Sequence, residues 1–347
     1  MPQDFKDILE ILSEGEDLSG ESASYALTRI VQGEVSNEEA SAFLFGMRQK
    51  GETPDELTEF VKVMREAAVS VEVRTEGAVD LCGTGGDRSG TFNISTAAMF
   101  VVAGAGVPVL KHGNRSVSSK CGSADVLETL GVQVNLEKEE VEEVFDKTGV
   151  AFMFAPNFHP AMKYIMPARK ALKIRTFFNI LGPLLNPAMV RHQVIGAYSR
   201  EVARTMVQIL GKLDTEKAIT LHAYDGLDEV SLSTKTETFE LQNDMSFSSS
   251  EFDPRLYGFD LVNIEKLMGG NAETNAEIIH SILNSSATDA QRDIVLLNAA
   301  FGIRVSGLTD SMEEAIQLAR KSIESGSAKE KLKRFTEATR EFKKSGR

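Results

Sequence analysis

The chain has 347 residues, of which 42% are hydrophobic and 26% are charged, ordinary values for a soluble globular protein. Its 51 acidic and 38 basic side chains give a formal charge of -13, which argues against a general nucleic-acid-binding protein. The longest apolar run, residues 97–110, is 14 residues long and contains glycine and proline, so it is too short to cross a bilayer.

The length predicts about two domains. The N-terminus has no basic start followed by an apolar stretch, so we expect no signal peptide. The chain has only Cys82 and Cys121 and no Cys-x-x-Cys pair, so we expect neither a disulfide framework nor a structural zinc site. These features together predict a cytoplasmic protein without membrane contact.

The first residues predict a small all-helical unit. Apolar residues between Ala23 and Val31 recur at a spacing of three to four, and Gly33 follows as a stop. Ser36 and Glu39 form a capping-box pattern before the next apolar stripe. Residues 53–56 then supply a cap, a proline at the first helical position and a glutamate at the third.

After Gly77 short apolar runs alternate with amphipathic segments, which favours a largely parallel sheet covered on both faces. The predicted strands are Ala78–Cys82, Val107–Leu110, Ala151–Phe154, Val194–Tyr198 and Ala218–Leu221. The predicted helices are Ile94–Ala103, Ser123–Leu130, Lys138–Lys147 and Glu201–Leu213, with a mostly helical end from Ala276 to Phe342. Met245–Glu251 is interpreted as a flexible connector.

The positive charge is concentrated in two segments that contain no acidic residue. Residues 111–120 carry three basic side chains and residues 159–192 carry six, which leaves -22 for the rest of the chain. An acidic protein with two such segments is typical of a local site for a small anion. Solvated surface faces are the alternative explanation.

The sequence Cys-Gly-Thr-Gly-Gly-Asp at 82–87 directly follows a predicted strand. Glycines at such a place let backbone N–H groups approach an anion closely, although a tight turn needs them equally. The segment is not a P-loop, since no Gly-Lys-Ser/Thr follows. It also lacks the dinucleotide fingerprint, because Arg88 takes the third glycine position.

Residues 91–96, Thr-Phe-Asn-Ile-Ser-Thr, open the next predicted helix. Free backbone donors, the helix dipole and the hydroxyl groups would suit a phosphate. Ordinary N-capping by Asn93 or Ser95 is the alternative.

A third polar segment, Lys111–Ser119, leaves the strand predicted at 107–110, and Ser123 starts the following helix. Lysine supplies a charge, glycine an open backbone and the serines additional donors. Ligands of open α/β sheets bind at this edge, so we interpret the segment as a binding loop.

Asp228 and Glu229 follow the strand predicted at 218–221 and lie in a loop, where two neighbouring carboxylates can converge on one cation. Magnesium commonly takes one or two protein carboxylates together with waters and substrate phosphate oxygens. A solvated acidic turn would have the same composition. The five histidines lack metal-ligand spacing, and His192, His222 and His280 are interpreted as structural.

In order along the chain, these segments resemble the anthranilate phosphoribosyltransferase family of the tryptophan pathway. The resemblance spans nearly the whole chain. Two positions depart from it: Arg88 stands where glycine is common, and Lys173 replaces a frequent glycine. The matching segments are GTGGD at 83–87, TFNIST at 91–96, KHGNRSVSS at 111–119, GSAD at 122–125, NFHPAM at 157–162, ARK at 168–170, IRTFFNILGPLLNP at 174–187, GLDE at 226–229 and LLNAA at 296–300.

The resemblance implies an α/β fold shared with pyrimidine nucleoside phosphorylases, in which a small helical domain accompanies a large α/β domain with a mostly parallel central sheet. The domains would cover residues 1–72 and 73–347, joined by a middle helical segment near 167–190. It also implies a homodimer formed through the helical domain, the substrates anthranilate and phosphoribosyl pyrophosphate (PRPP), and Mg²⁺.

The resemblance also implies site residues, position by position. The PRPP-binding residues would be Gly83, Gly86, Asp87, Thr91, Asn93, Ile94, Ser95, Thr96, Lys111, His112, Gly113, Asn114, Arg115, Ser116, Val117, Ser118, Ser119 and Ser123. The anthranilate contacts would be Gly83, Asn114 and Arg169, with His159 nearby. The magnesium ligands would be Ser95, Asp228 and Glu229.

These substrates predict direct displacement with inversion at the anomeric carbon, without a covalent enzyme intermediate. Pyrophosphate becomes a good leaving group once its growing charge is neutralised, and an aromatic amine brings its own lone pair. The absence of a Gly-x-Ser-x-Gly elbow or a triad in the sequence agrees with this.

Two alternatives stay open. A pyrimidine nucleoside phosphorylase would share the fold, but the 111–119 loop and the Arg169 segment match the anthranilate enzyme better. A nucleic-acid-binding relative of the same fold would need a basic surface, which the charge of -13 disfavours.

Overall fold

The computed structural model describes residues 4–87, 89–116 and 120–342. The chain begins with a helical unit in which both predicted start signals form. Ser36 and Glu39 close the capping box of the third helix, and Thr53 and Glu56 close that of the fourth. Ser19 caps the second helix. The helices are α1 (Phe5–Ser13), α2 (Gly20–Val31), α3 (Asn37–Lys50) and α4 (Pro54–Glu66).

A seven-stranded sheet follows, in the order β3-β2-β1-β4-β5-β6-β7. The first five of these strands are parallel, whereas β6 and β7 are antiparallel additions at one edge. The predicted largely parallel sheet is therefore confirmed. The strands are β1 (Val79–Gly83), β2 (Val109–Gly113), β3 (Val150–Phe154), β4 (His192–Gly196), β5 (Lys217–Ala223), β6 (Thr236–Leu241) and β7 (Phe247–Phe252).

Helices cover both faces of this sheet, and α13 packs against α5 and α14 on one of them. None of the helices in the described parts of the chain could serve as a bilayer-spanning segment. The α-helices are α5 (Ile94–Gly104), α6 (Ser123–Thr129), α7 (Lys138–Thr148), α8 (Ala155–Phe158), α9 (Met162–Leu172), α10 (Phe178–Leu181), α11 (Arg200–Leu210), α12 (Ala272–Leu283), α13 (Asp289–Val305), α14 (Met312–Glu324) and α15 (Ser327–Arg340). Short 3₁₀ turns cover Gly182–Leu184, Pro254–Tyr257 and Ile264–Leu267.

The hydrophobic interior consists of two clusters, one on each side of the sheet. One contains α5 and α12–α15, and the other joins the N-terminal helices to α9, α10 and α11. Phe177 ties the second cluster together, because its ring lies 4.6 Å from that of Phe60 and 6.2 Å from that of Phe43. Arg65 of α4 also donates a 2.8 Å hydrogen bond to the Leu184 carbonyl. The segment from α9 to Leu185 thus connects the helical unit to the sheet.

The division into residues 1–72 and 73–347 stays a prediction. The backbone of residues 69–71 already pairs with the α/β body, since Val69 donates to the Phe158 carbonyl and Val71 to the Pro187 carbonyl.

Two sequence predictions are wrong in this part of the fold. Met245–Glu251 is not a flexible connector, because most of it lies in β7, which pairs with the unpredicted strand β6. The serines of β7 face solvent at the sheet edge, so the strand lacks the apolar alternation that would have revealed it. Strand β2 also continues through Lys111 and His112 to Gly113, so these residues are not loop residues.

Candidate active site

The candidate site lies where the strand order reverses. Chain order runs from β1 to β2 and β3 on one side of the sheet, and then crosses back to β4 and β5 on the other side of β1. Ligands of open α/β sheets bind beyond the carboxyl ends of the strands at such a switch point. The glycine-rich segment after β1 and the polar segment at the end of β2 both lie at this edge.

Two glycines make room for an acidic residue at this switch point. Gly83 of β1 and Gly196 of β4 lie opposite each other in the sheet. A Cβ atom at Gly83 would lie 2.5 Å from Oδ2 of Asp228, and one at Gly196 would lie 1.6 Å from the Asp228 carbonyl oxygen. Glycine at these positions is therefore explained by close packing of the acidic segment over the strand ends.

Asp228 and Glu229 are each fixed by a backbone donor. The Gly85 amide donates to Oδ2 of Asp228 at 2.7 Å, and the Ser95 amide at the start of α5 donates to Oε1 of Glu229 at 3.2 Å. The Glu229 carboxylate thus lies at the N-terminus of α5, where the helix dipole favours a negative charge. The two residues therefore do not form a solvated acidic turn, which was the alternative that the sequence left open.

The ionised forms of both carboxyl groups are destabilised in this environment. Each residue keeps some surface open toward the cleft, although protein atoms surround its carboxylate. Burial raises the pKa of Asp228 well above its ordinary value, and Asp87 raises it further. Burial likewise raises the pKa of Glu229, with Asp228 as the second cause. Neighbouring acids that repel one another in this way would be stabilised by a cation.

Lys111 supplies a positive charge that offsets this effect for Glu229. Its side chain is only 2% exposed, and its ammonium donates to the Leu81 carbonyl and, at 3.2 Å, to the Ser95 hydroxyl. The lysine therefore lies beneath the cleft, fixed between β1 and α5, and does not extend as a surface charge.

A cavity of about 10 Å³, enough for one water-sized ligand, opens between these groups. Ser95, Asp228, Glu229 and Asn298 supply its polar lining. Within the described residues, no three His, Cys, Asp or Glu side chains form a group that could hold a metal. Two carboxylates and a hydroxyl nonetheless fit magnesium, which completes its shell with water and substrate oxygens.

The remaining residues of the 91–96 segment have mixed roles. Asn93 does not cap α5. Its side chain donates to the Cys121 carbonyl at 3.2 Å and accepts from Asn275 at 2.9 Å, so capping by Asn93 is excluded. Thr91 forms an isolated bridge with Met268. Ile94 and Thr96 are buried at the start of α5, and their contact with PRPP stays a prediction.

The segment after β2 is only partly described, because Val117, Ser118 and Ser119 lie outside the described residues. The Ser123 hydroxyl donates to the Asn114 carbonyl at 3.2 Å. Arg115 makes a two-point ion pair with Glu128 at 2.6 and 2.7 Å and contacts Asp125. Its charge is therefore neutralised by α6, and the Ser116 amide donates to Oδ2 of Asp125 in the same helix at 3.1 Å.

Of the predicted acceptor residues, His159 lies beside His112, which was predicted to bind PRPP, and Arg169 lies on α9. The rings of His112 and His159 meet edge to face with centroids 5.1 Å apart, and both are buried. Burial lowers the pKa of His112 to about 3, with His159 as a further cause, and burial lowers the pKa of His159 to about 4. Both imidazoles are thus neutral at physiological pH. Arg169 of α9 lies over the Phe178 ring at 5.2 Å.

The structure adds residues that the sequence analysis missed. Arg175 donates to the Gly86 carbonyl at 2.7 Å and lies 4.4 Å from the centre of the Tyr198 ring, so it joins the α9–α10 segment to the glycine-rich loop. Asn298 accepts from the Val230 amide at 2.9 Å and steadies the acidic segment. Only the motifs GTGGD, IRT and LLNAA in the sequence pointed toward these contacts.

The basic segments are less free than their sequence suggests. Arg115 and Arg191 are both paired with acidic side chains, and Lys111 is buried. Arg169 has no ion pair among the described residues, and neither have the exposed Lys163, Lys170, Lys173 and Arg175, so Arg169 is one of the basic groups available to an anionic acceptor. Lys173, the departure from the family pattern, adopts the left-handed conformation at φ 54° that ends α9.

Replacing the two acids by isosteric amides should raise stability at alkaline pH. The folded-state pKa of each is raised, so the native state binds more protons than the unfolded chain and loses stability as pH rises above about 4. Asp228→Asn with Glu229→Gln keeps both acceptor oxygens but removes the charge. We expect its melting temperature at about pH 8.5 to exceed that of the parent by about 2–8 °C.

The gain should shrink at about pH 5, where the native parent protein is already largely protonated at these positions. Scanning calorimetry without added metal measures both differences. Equal melting temperatures at alkaline pH would show that the two carboxylates are not under electrostatic strain.

Comparison with known proteins agrees with this architecture. Residues 6–68 match the helical bundle domain and residues 75–329 the α/β domain of a glycosyl transferase family. An anthranilate phosphoribosyltransferase of Salinibacter ruber is 49% identical over 97% of this chain and 98% of its own length. That of Alkaliphilus metalliredigens is 45% identical over 94% and 96%.

Solved structures lead to the same family. The anthranilate phosphoribosyltransferase of Thermus thermophilus superposes with a TM-score of 0.91 at 36% identity, covering 96% of this chain and 99% of that one. The enzyme of Saccharomyces cerevisiae in complex with PRPP and Mg gives 0.90 at 26% identity, covering 97% and 98%. The chain belongs to the anthranilate phosphoribosyltransferases of this glycosyl transferase family.

Proposed function

We propose that this protein transfers the phosphoribosyl group of PRPP to the amine of anthranilate, giving N-(5-phosphoribosyl)anthranilate and pyrophosphate, a step of tryptophan biosynthesis. The observation that carries the proposal is the acid pair Asp228 and Glu229 at the switch point, held by the glycine-rich loop and by the start of α5. The relatives that share the name over nearly their full length support it.

The donor side of the cleft would hold PRPP. Asp228, Glu229 and Ser95 would bind magnesium, and their fit rests on the raised carboxylate pKa values and the small cavity between them. A bound magnesium ion would neutralise charge on the pyrophosphate oxygens. Lys111 keeps a fixed positive charge beneath Ser95 and Glu229. A yeast relative solved with PRPP and Mg supports this assignment.

The acceptor side would hold anthranilate. The Arg169 guanidinium can pair with the anthranilate carboxylate in two-point fashion. His112 and His159 contribute neutral imidazoles, each of which has one ring nitrogen that can accept a hydrogen bond. They can therefore accept an N–H from the uncharged amine without repelling or protonating it. A yeast relative solved with 4-fluoroanthranilate supports an acceptor of this class.

The reaction would be a direct displacement with inversion. The amine lone pair forms the C–N bond at the anomeric carbon while the C–O bond to pyrophosphate breaks, and the nitrogen then releases one proton. Positioning of the two substrates supplies most of the rate gain, because no strong general base is needed. The neutral histidines support this course.

We further propose a cytoplasmic homodimer that assembles through the helical unit and does not bind nucleic acid. Phe45 of α3 is 52% exposed and Tyr164 of the adjacent α9 is 41% exposed, which leaves aromatic surface for a second copy. Both cysteines are free, as expected in a reducing compartment. A monomeric mass by light scattering would contradict the dimer, and recovery from a secreted fraction would contradict the location.

The enzyme should consume anthranilate only when PRPP and magnesium are both present. Loss of anthranilate fluorescence measures turnover, and reactions without PRPP are the control. No loss, together with phosphorolysis of thymidine or uridine, would favour the nucleoside phosphorylase. Tight, salt-sensitive DNA binding without turnover would favour the nucleic-acid-binding relative.

Arg169→Ala should raise the KM for anthranilate about 10- to 100-fold, because a charged two-point hydrogen bond is lost, and should change the KM for PRPP much less. Arg191→Ala is the matched control. Arg191 belongs to the same basic segment but pairs with Asp214 and Glu216 at the surface, so both KM values should stay unchanged. Equal increases in the two KM values for Arg169→Ala would remove this residue from the acceptor site.

A further inference from the structure

Asp80 is a fully buried carboxylate in the middle of β1. Its Oδ1 accepts from the His112 amide at 3.3 Å, and its Oδ2 accepts from the Asn186 side chain at 2.8 Å. Asn186 is also fully buried and donates to the Leu110 carbonyl at 2.8 Å. Neither residue reaches the cleft, so neither can contact a substrate.

These side chains replace part of the ladder between β1 and β2. The two strands pair at Val79 and Val109, and no further pair joins them toward the site among the described residues. In a regular parallel ladder, the backbone groups beyond that pair would bond to each other. Here the Leu110 carbonyl accepts from Asn186 and the His112 amide donates to Asp80 instead.

Lys111 makes a third side-chain hydrogen bond in this region between β1 and β2. It lies between the two bridged residues of β2, and its ammonium donates to the Leu81 carbonyl of β1. The peptide units on either side of Lys111 are thus fixed by Asn186 and Asp80. The separation of the two strand ends then determines where the ammonium lies relative to Ser95.

Asn186 also connects the chain segment between α10 and β4 to Asp80 and the end of β2. Its Oδ1 accepts from the Ala188 amide at 2.9 Å, directly after the segment that carries Arg169 and Arg175. Strand β1, the end of β2 and the segment around Asn186 therefore meet at one buried carboxylate. Burial raises the pKa of Asp80 to about 6, opposed by the attraction of Lys111 and the bonds from Asn186 and His112.

We propose that Asp80, together with Asn186, is a positioning residue for phosphoribosyl transfer, which holds the ends of β1 and β2 at the separation that places the Lys111 ammonium on Ser95 beside the acid pair. This inference rests on the proposed function. It assigns to Asp80 an effect on turnover that acts through Lys111 and not through contact with either substrate.

Asp80→Asn tests the proposal with almost no change in volume. An amide cannot accept from both His112 and Asn186, and it removes the charge opposite Lys111. We expect kcat to fall about 10- to 100-fold, the size of effect that misplacement by about 1 Å produces, with the KM for anthranilate changed less than about threefold.

Gln193→Met is the matched control. Gln193 lies opposite Asp80 on β4, is equally buried and donates to the Pro183 carbonyl at 3.1 Å, and among the described residues its side chain has no hydrogen bond to β2 or Lys111. It should lower the melting temperature with kcat within about threefold of the parent. An equal loss of kcat in both variants would mean that Asp80 is merely structural.

A double-mutant cycle with Lys111→Met gives the decisive result. If Asp80 acts through Lys111, Asp80→Asn should change kcat less than about threefold when Lys111 is already replaced. The proposal would be overturned if Asp80→Asn lowered kcat by the same factor in the Lys111→Met variant as in the parent. Should Asp80→Asn fail to fold, Asn186→Ala in the same cycle tests it, with an expected loss of about 3- to 10-fold that disappears without Lys111. An inactive parent enzyme would contradict the proposed function, whereas an active parent with fully active variants contradicts this inference alone.

Discussion

The site depends on the packing of two carboxylates against the ends of two parallel strands. Asp228 fits there because Gly83 and Gly196 carry no side chain, and Glu229 reaches the start of α5 because Ser95 offers its amide. Burial raises the pKa of both carboxyl groups, and the charge of Asp87 beside Asp228 and of Asp228 beside Glu229 raises them further. Lys111 lowers this cost, and a magnesium–PRPP complex would lower it further. Affinity for a polyanion can therefore arise at acidic residues in an acidic protein.

Most of the fold could be predicted from the sequence. Capping residues located α3 and α4 almost to the residue, and apolar runs located the five parallel strands. The hairpin of β6 and β7 could not be found in this way. Its serines face solvent, Glu237 pairs with Arg200 and Glu240 pairs with Arg304, so its stability comes from backbone pairing and cross-element charges that leave no local pattern.

The candidate site was predicted in its motifs but not in its geometry. The resemblance picked out Ser95, Asp228 and Glu229, and the structure brings them to one small cavity. Lys111 was expected in an open loop but is buried in β2, because a side chain in the middle of an acid-free segment gives no sign of its depth. Asp80 was overlooked, although a charged residue inside a predicted strand was a visible signal. Its partner Asn186 lies more than a hundred positions away, so only the fold could pair them.

The central claim is that the acid pair of Asp228 and Glu229 is partly protonated near neutral pH and ionises when it receives its ligand. Calorimetric titration of the preformed magnesium–PRPP complex into the protein, in buffers of different ionisation enthalpy, measures the protons exchanged on binding. Our account predicts net proton release at about pH 7, which fades toward pH 9 as the free pair ionises on its own. Binding without proton release at pH 7, or release that does not change with pH, would contradict it.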